Sequence, residues 1–301
     1  NCDRSRRSDY SKCNGIKPQS PYFSVEESML KREEYIEQAY FFQIVGERLP
    51  QSIPLQDVIQ QVRDEVLATT KLPMALDYML SELCHSGTIY PAMEQLNHYF
   101  TPFQTYLMQE AESDDGQFDL RTAVQVLQSE AKYRAESPTR TGLFMFQLEC
   151  LCHNRLKYDA GLKAISEDPI YDSDWKEWIL VVRRQIGIID LADLIYVRSW
   201  HQNNKNSQGA NSAQPEQAML FGEQEGRIAL ANRQKEPMFL FAALQRQLGY
   251  PKVPRPKKDA DSTNRLLSLE RKVDQLTQRL KLIEDDSRDS IDLTKFYEKP
   301  N

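Results

Sequence analysis

At 301 residues the chain is long enough for one large domain or two ordinary ones, and its 40% hydrophobic content can supply a real core. A net charge of -6 with 27% charged residues points to a soluble protein and away from a general nucleic-acid binder, which more often carries a basic excess. No stretch approaches the roughly 18 consecutive apolar residues needed to cross a bilayer. The opening residues also lack the apolar core of a secretory signal, so a cytoplasmic protein is expected.

Residues 1–20 are polar, carry the basic cluster Arg4, Arg6 and Arg7 and show no periodicity, which predicts a disordered tail. A helical bundle is predicted over 21–199. Its first helix starts at Ser24, where Glu27 completes a capping box, and runs to about Gly46. A second begins at Ser52 and Pro54, and Leu55, Ile59, Val62 and Val66 form its apolar stripe. Pro73 opens a third helix that reaches Gly87, a residue suited to a left-handed cap. Pro91 starts a fourth. Because proline lacks the amide donor, the aromatic run Tyr99, Phe100, Phe103 and Tyr106 around Pro102 must kink or restart at Thr101. Leu120, Val124, Leu127 and Ala131 mark a helix over 119–136, which Ser137 and Pro138 end.

The next helix is different. Leu143, Phe144, Met145, Phe146, Leu148 and Leu151, with Cys150 and Cys152, leave it little polar face, so it is expected to be the most buried element of the bundle. Asp174 and Glu177 then form a capping-box pair ahead of Trp175, Trp178, Ile179, Val182 and Ile186, with Gly187 just past the end. Beyond Gly187 the apolar triplets Ile195-Tyr196-Val197, Met219-Leu220-Phe221 and Ile228-Ala229-Leu230 read as two or three short strands of a small β appendage. Residues 222–226 would turn its hairpin, and a helix over 189–198 competes with the first strand. Residues 200–216 form a polar linker. The appendage, 217–250, ends in a helix over 237–248 that carries Phe239, Leu240, Ala243, Leu244 and Leu248.

Pro251, Pro254 and Pro256, with Lys252, Arg255, Lys257 and Lys258, make 251–263 a stiff basic linker. It leads to the most specific pattern in the chain, over 264–286. Leu266, Leu269, Val273, Leu276, Leu280 and Ile283 alternate spacings of three and four, which is a coiled-coil seam. With Leu266 at heptad position a, Arg265 and Arg279 occupy g, and Glu270 and Glu284 occupy e. Those charges can pair across a parallel dimer. Residues 287–301 are read as a flexible tail. The expected fold class is therefore mainly α: a multi-helix bundle, a small β appendage and a C-terminal coiled-coil helix. The expected function is a non-enzymatic scaffold or interaction protein, a homo-oligomer or the binder of a helical partner.

Chemical candidates are sparse. Glu82 with His85 and Glu149 with His153 are three and four residues apart, so each pair shares a helix face. Glu37 and Glu130 would complete the carboxylate set of a di-iron bundle. Only the first pair has the required spacing, however, and His85 lies in a last helical turn, which favours a cation without any metal. Neither a metal nor a cofactor is expected, and the four residues mark a competing reading as a bundle metalloprotein or enzyme. Cys84, Cys150 and Cys152 sit in apolar patterns and read as reduced, buried thiols. No phosphate-binding or nucleophile motif names a catalytic residue. A third reading, a nucleic-acid-associated factor using the basic groups at 252–258, is opposed by the acidity of the rest of the chain.

Overall fold

Prolines and small polar residues set where many of the helices begin. The structure, a computed structural model, describes residues 30–51, 53–113, 118–207 and 218–255. The first of its helices are α1 (Arg32–Arg48), α2 (Leu55–Glu65), α3 (Leu72–Ser86), α4 (Tyr90–Gln95), α5 (Pro102–Glu112), α6 (Leu120–Ala135) and α7 (Arg140–His153). They are followed by α8 (Tyr158–Ser166), α9 (Ser173–Gln185), α10 (Leu191–Val197), α11 (Trp200–Ser207), α12 (Glu223–Ala231) and α13 (Pro237–Leu248). Pro73, Pro91, Pro102 and Pro237 each sit in the first turn of a helix, where the missing amide has no partner to lose. The restart expected at Thr101 is a full capping box: Thr101 Oγ1 accepts from the Gln104 amide at 3.3 Å, and Gln104 Oε1 accepts from the Thr101 amide at 3.1 Å. Gly87 and Gly249 close α3 and α13 in the left-handed conformation, at φ 76° and 71°.

The expected all-helical bundle is observed, with α7 at its centre. Every residue from Gly142 to Leu151 is buried. Helix α1 runs antiparallel to α6 along most of its length. Arg32 Nε donates to the Ala135 carbonyl at one end, and Gln128 donates to Gln43 near the other. Further pairs are α2 with α3, α8 with α9, and α7 with α13. No helix among the described residues is long and apolar enough to cross a membrane.

Four expectations change. Among the described residues there is no sheet, and the β appendage is replaced by helices. Ile195, Tyr196 and Val197 belong to α10, Ile228, Ala229 and Leu230 belong to α12, and the two helices pack on each other. Met219 and Leu220 lie outside regular structure, and Phe221 forms a single parallel bridge with Ser199. What the segment delivers is Phe221, fully buried against Trp175 and Trp178 with ring centroids 5.4 and 5.0 Å away. The polar linker begins with a helix, α11, and its remainder at 208–217 lies outside the described residues. The cap of α9 is Asp172, whose Oδ1 accepts from the Trp175 amide at 3.0 Å, while Asp174 lies in the first turn. Asp172 holds an extended backbone and its other oxygen takes Arg140 Nη1 at 2.6 Å, so this carboxylate is placed to cap.

The fourth change concerns the proline linker. Tyr250 and Val253 are buried, so the first five residues after Tyr250 are a strap on the bundle rather than a spacer. The chain divides into two units after Arg255. The predicted coiled coil at 264–286 and the tail beyond it lie outside the described residues, as do residues 1–29 with the Ser24 capping box.

Candidate functional site

The four residues singled out as metal candidates are split between two helices. Glu82 and His85 lie at the end of α3, where His85 and the neighbouring Cys84 are exposed. Glu149 and His153 lie on α7. Among the described residues no three His, Cys, Asp or Glu side chains are grouped to hold a metal ion. Glu37 and Glu130, the further carboxylates, have other partners: Glu37 accepts from the Leu67 amide and Glu130 joins the Arg134 cluster described below. The described cysteines carry free thiols, and of the three expected to be buried, Cys150 is buried, Cys152 half-buried and Cys84 exposed. Burial pushes the Cys152 thiol up to about 11 and Cys150 further still, which suppresses the reactive thiolate.

Glu149 and His153 do meet, and they meet the strap. The Tyr250 hydroxyl donates to Glu149 Oε2 at 2.7 Å, with the Phe241 carbonyl 3.1 Å away as a second acceptor. His153 Nδ1 lies 3.2 Å from Glu149 Oε1, close but poorly aligned for a hydrogen bond. On the other side of the ring, His153 Nε2 is 3.2 Å from Arg255 Nη2 and 3.0 Å from Met238 Sδ. A guanidinium can only donate, so Nε2 accepts and the imidazole proton is assigned to Nδ1, facing Glu149. Burial and then the Arg255 charge lower the His153 pKa to about 4. Burial raises the Glu149 pKa, against the opposing pull of the Tyr250 hydroxyl and Arg255. With one nitrogen occupied by a cation and the other turned to a carboxylate, this histidine fastens residues 250–255 to α7.

A second cluster went unseen in the sequence. Arg134 on α6 donates to Glu130 Oε1 at 2.9 Å and to Asp168, which precedes α9. Gln147 Nε2 on α7 donates to the same Glu130 oxygen at 3.0 Å, and the Tyr171 hydroxyl donates to Gln147 Oε1 at 2.8 Å. All five side chains are buried, and Glu130 Oε2 has no hydrogen-bond partner among the described residues. Burial, helped by Asp168 and opposed by Arg134, raises the Glu130 pKa. Burial also works against the Arg134 cation, yet Asp168 and Glu130 outweigh it and hold its pKa well above the ordinary value. The Glu130–Arg134 spacing of four was a readable signal, whereas Asp168 arrives from 34 residues further on. The chemistry of this cluster is cohesion among α6, α7 and the loop before α9.

The six seam residues, Leu266, Leu269, Val273, Leu276, Leu280 and Ile283, lie outside the described residues. Comparison of the chain with protein-family models, with curated proteins and with solved structures finds no match.

Proposed function

We propose that this chain is a non-enzymatic scaffold or interaction protein that self-associates through Leu266, Leu269, Val273, Leu276, Leu280 and Ile283. The observation that carries the reading is the seam together with its flanking charges. In the same register Arg265, Lys272 and Arg279 fill the three g positions, and Glu270, Thr277 and Glu284 fill the e positions. A parallel pair sets each g against an e of its partner, joining Arg265 to Glu270 and Arg279 to Glu284. An antiparallel pair would set base against base and acid against acid. The pattern therefore favours a parallel two-stranded assembly. Three heptads are short, so association in the micromolar range is expected.

The test is light scattering behind a sizing column on the full chain and on Leu276→Lys. A dimer is expected for the parent and a monomer for the variant, with helical content by circular dichroism almost unchanged. Equal masses for the two proteins would overturn the proposal. A chain ending at Arg255 is the matching truncation, because a cut at Gly249 would remove the buried Tyr250 and Val253 from the bundle.

A further inference from the structure

Met79, Met93, Met108 and Met145 are buried in the core, where a thioether is shielded from oxidants carried by water. Met219 is half-buried. Two other methionines among the described residues lie open: Met74, 76% exposed, and Met238, 43% exposed in the first turn of α13. Their surroundings differ. Met74 makes no polar contact among the described residues, whereas Met238 Sδ lies 3.0 Å from His153 Nε2.

The sulfur–nitrogen contact has no hydrogen of its own. A thioether has no proton to give, and His153 holds its proton on Nδ1, so the donor that Nε2 receives is the Arg255 guanidinium at 3.2 Å. Met238 Sδ therefore stands beside the acceptor that fastens the outer end of the strap to α7. As a thioether it competes weakly for that guanidinium. A sulfoxide competes strongly, because oxidation makes the side chain polar and gives it an oxygen that accepts a charge-assisted hydrogen bond.

We propose that Met238 is a reversible oxidation site for hydroperoxides, and that its sulfoxide draws the Arg255 guanidinium away from His153 and loosens the 250–255 strap on α7. In the step, a sulfur lone pair attacks one peroxide oxygen, an S–O bond forms and the O–O bond breaks. Sulfur gives up two electrons and the peroxide takes them. The proton on the transferred oxygen leaves with the departing oxygen, as water from hydrogen peroxide or as an alcohol from an alkyl hydroperoxide. Tyr250 keeps its bond to Glu149, so the release is confined to the outer end of the strap. The inference is independent of the coiled coil, since Met238, His153 and Arg255 belong to the bundle and its strap.

The test treats the full chain with millimolar hydrogen peroxide and follows each methionine by peptide mass mapping. Met74 and Met238 are expected to oxidise first, with the four core methionines left reduced. Lys252 is exposed and Val253 buried, so tryptic cleavage between them reports lifting of the strap. Oxidation should speed that cleavage about tenfold, the scale of one lost charge-assisted hydrogen bond, and should shift the imidazole nitrogen resonances of His153. Treatment with methionine sulfoxide reductases should reverse both changes. Met238→Leu should be cleaved at the same rate before and after peroxide, whereas Met74→Leu should respond like the parent. Protection of Met238 under conditions that convert Met74, an unchanged cleavage rate once Met238 is converted, or equal acceleration in Met238→Leu would overturn the proposal.

Discussion

Gln147 and Glu149 stand two residues apart on α7, so their side chains leave nearly opposite faces of the helix and enter different polar networks. Around Gln147 every member is buried, and a cation is shared by two carboxylates. Around Glu149 the network reaches the surface, where Arg255 is exposed. The difference decides what each can lose. In the interior, removing one member leaves charged neighbours with no water to replace it, whereas at the rim solvent can step in. It also explains a helix with no polar face: the polar side chains of α7 face other protein groups.

The largest break in this comparison is Arg134→Leu, which strands Glu130 and Asp168 in the core and should cost about 3–5 kcal/mol in urea denaturation. A cost under about 1 kcal/mol would mean that the two carboxylates do not depend on the guanidinium. At the rim, Tyr250→Phe removes one donor to Glu149 and should cost about 1–2 kcal/mol in the same measurement. A loss equal to that of Arg134→Leu would erase the distinction between the two regions.

The smallest effects are in pH dependence, and they have opposite signs. The Glu149 pKa is raised in the fold, so its contribution is complete below the unfolded value of about 4.3 and is lost as pH rises through the folded value. Glu149→Gln should therefore gain on the parent as pH rises above about 4.3. The His153 pKa is lowered to about 4, so its neutral form contributes fully above about 6.5, and that contribution fades as pH falls toward 4. His153→Gln should gain on the parent as pH falls through that window, by about 1 kcal/mol after solvent screening at the rim. Denaturation curves at pH 4, 5, 6 and 7 read both tilts. Tilts of the same sign would show that the two groups do not titrate as the contacts around the strap imply.

How much of this was legible depends on how local each signal is. Proline and glycine act on their own backbone, so the starts of α3, α4, α5 and α13 and the ends of α3 and α13 could be read directly. The triplets in α10 and α12 misled because three apolar residues have no period. The wider spacing Leu191, Ala192, Leu194, Ile195 was helical, and Asp190, whose Oδ1 accepts from the Ala192 amide, marked the start. The rim cluster was half legible: Glu149 and His153 share a turn, but Tyr250 and Arg255 come from about a hundred residues later, where nothing local announces them.

The pairing of α1 with α6 has a consequence for the making of the protein. Gln43 and Gln128 are 85 residues apart in sequence yet adjacent in the fold. At a synthesis rate of about 5–20 residues per second, α1 exists for about 4–17 seconds before its partner has been made. Through that interval Tyr35, Phe41, Phe42 and Val45, all buried in the finished protein, have only α2 to α5 to cover them. Until α6 arrives, that face of α1 is open to aggregation and to capture by chaperones.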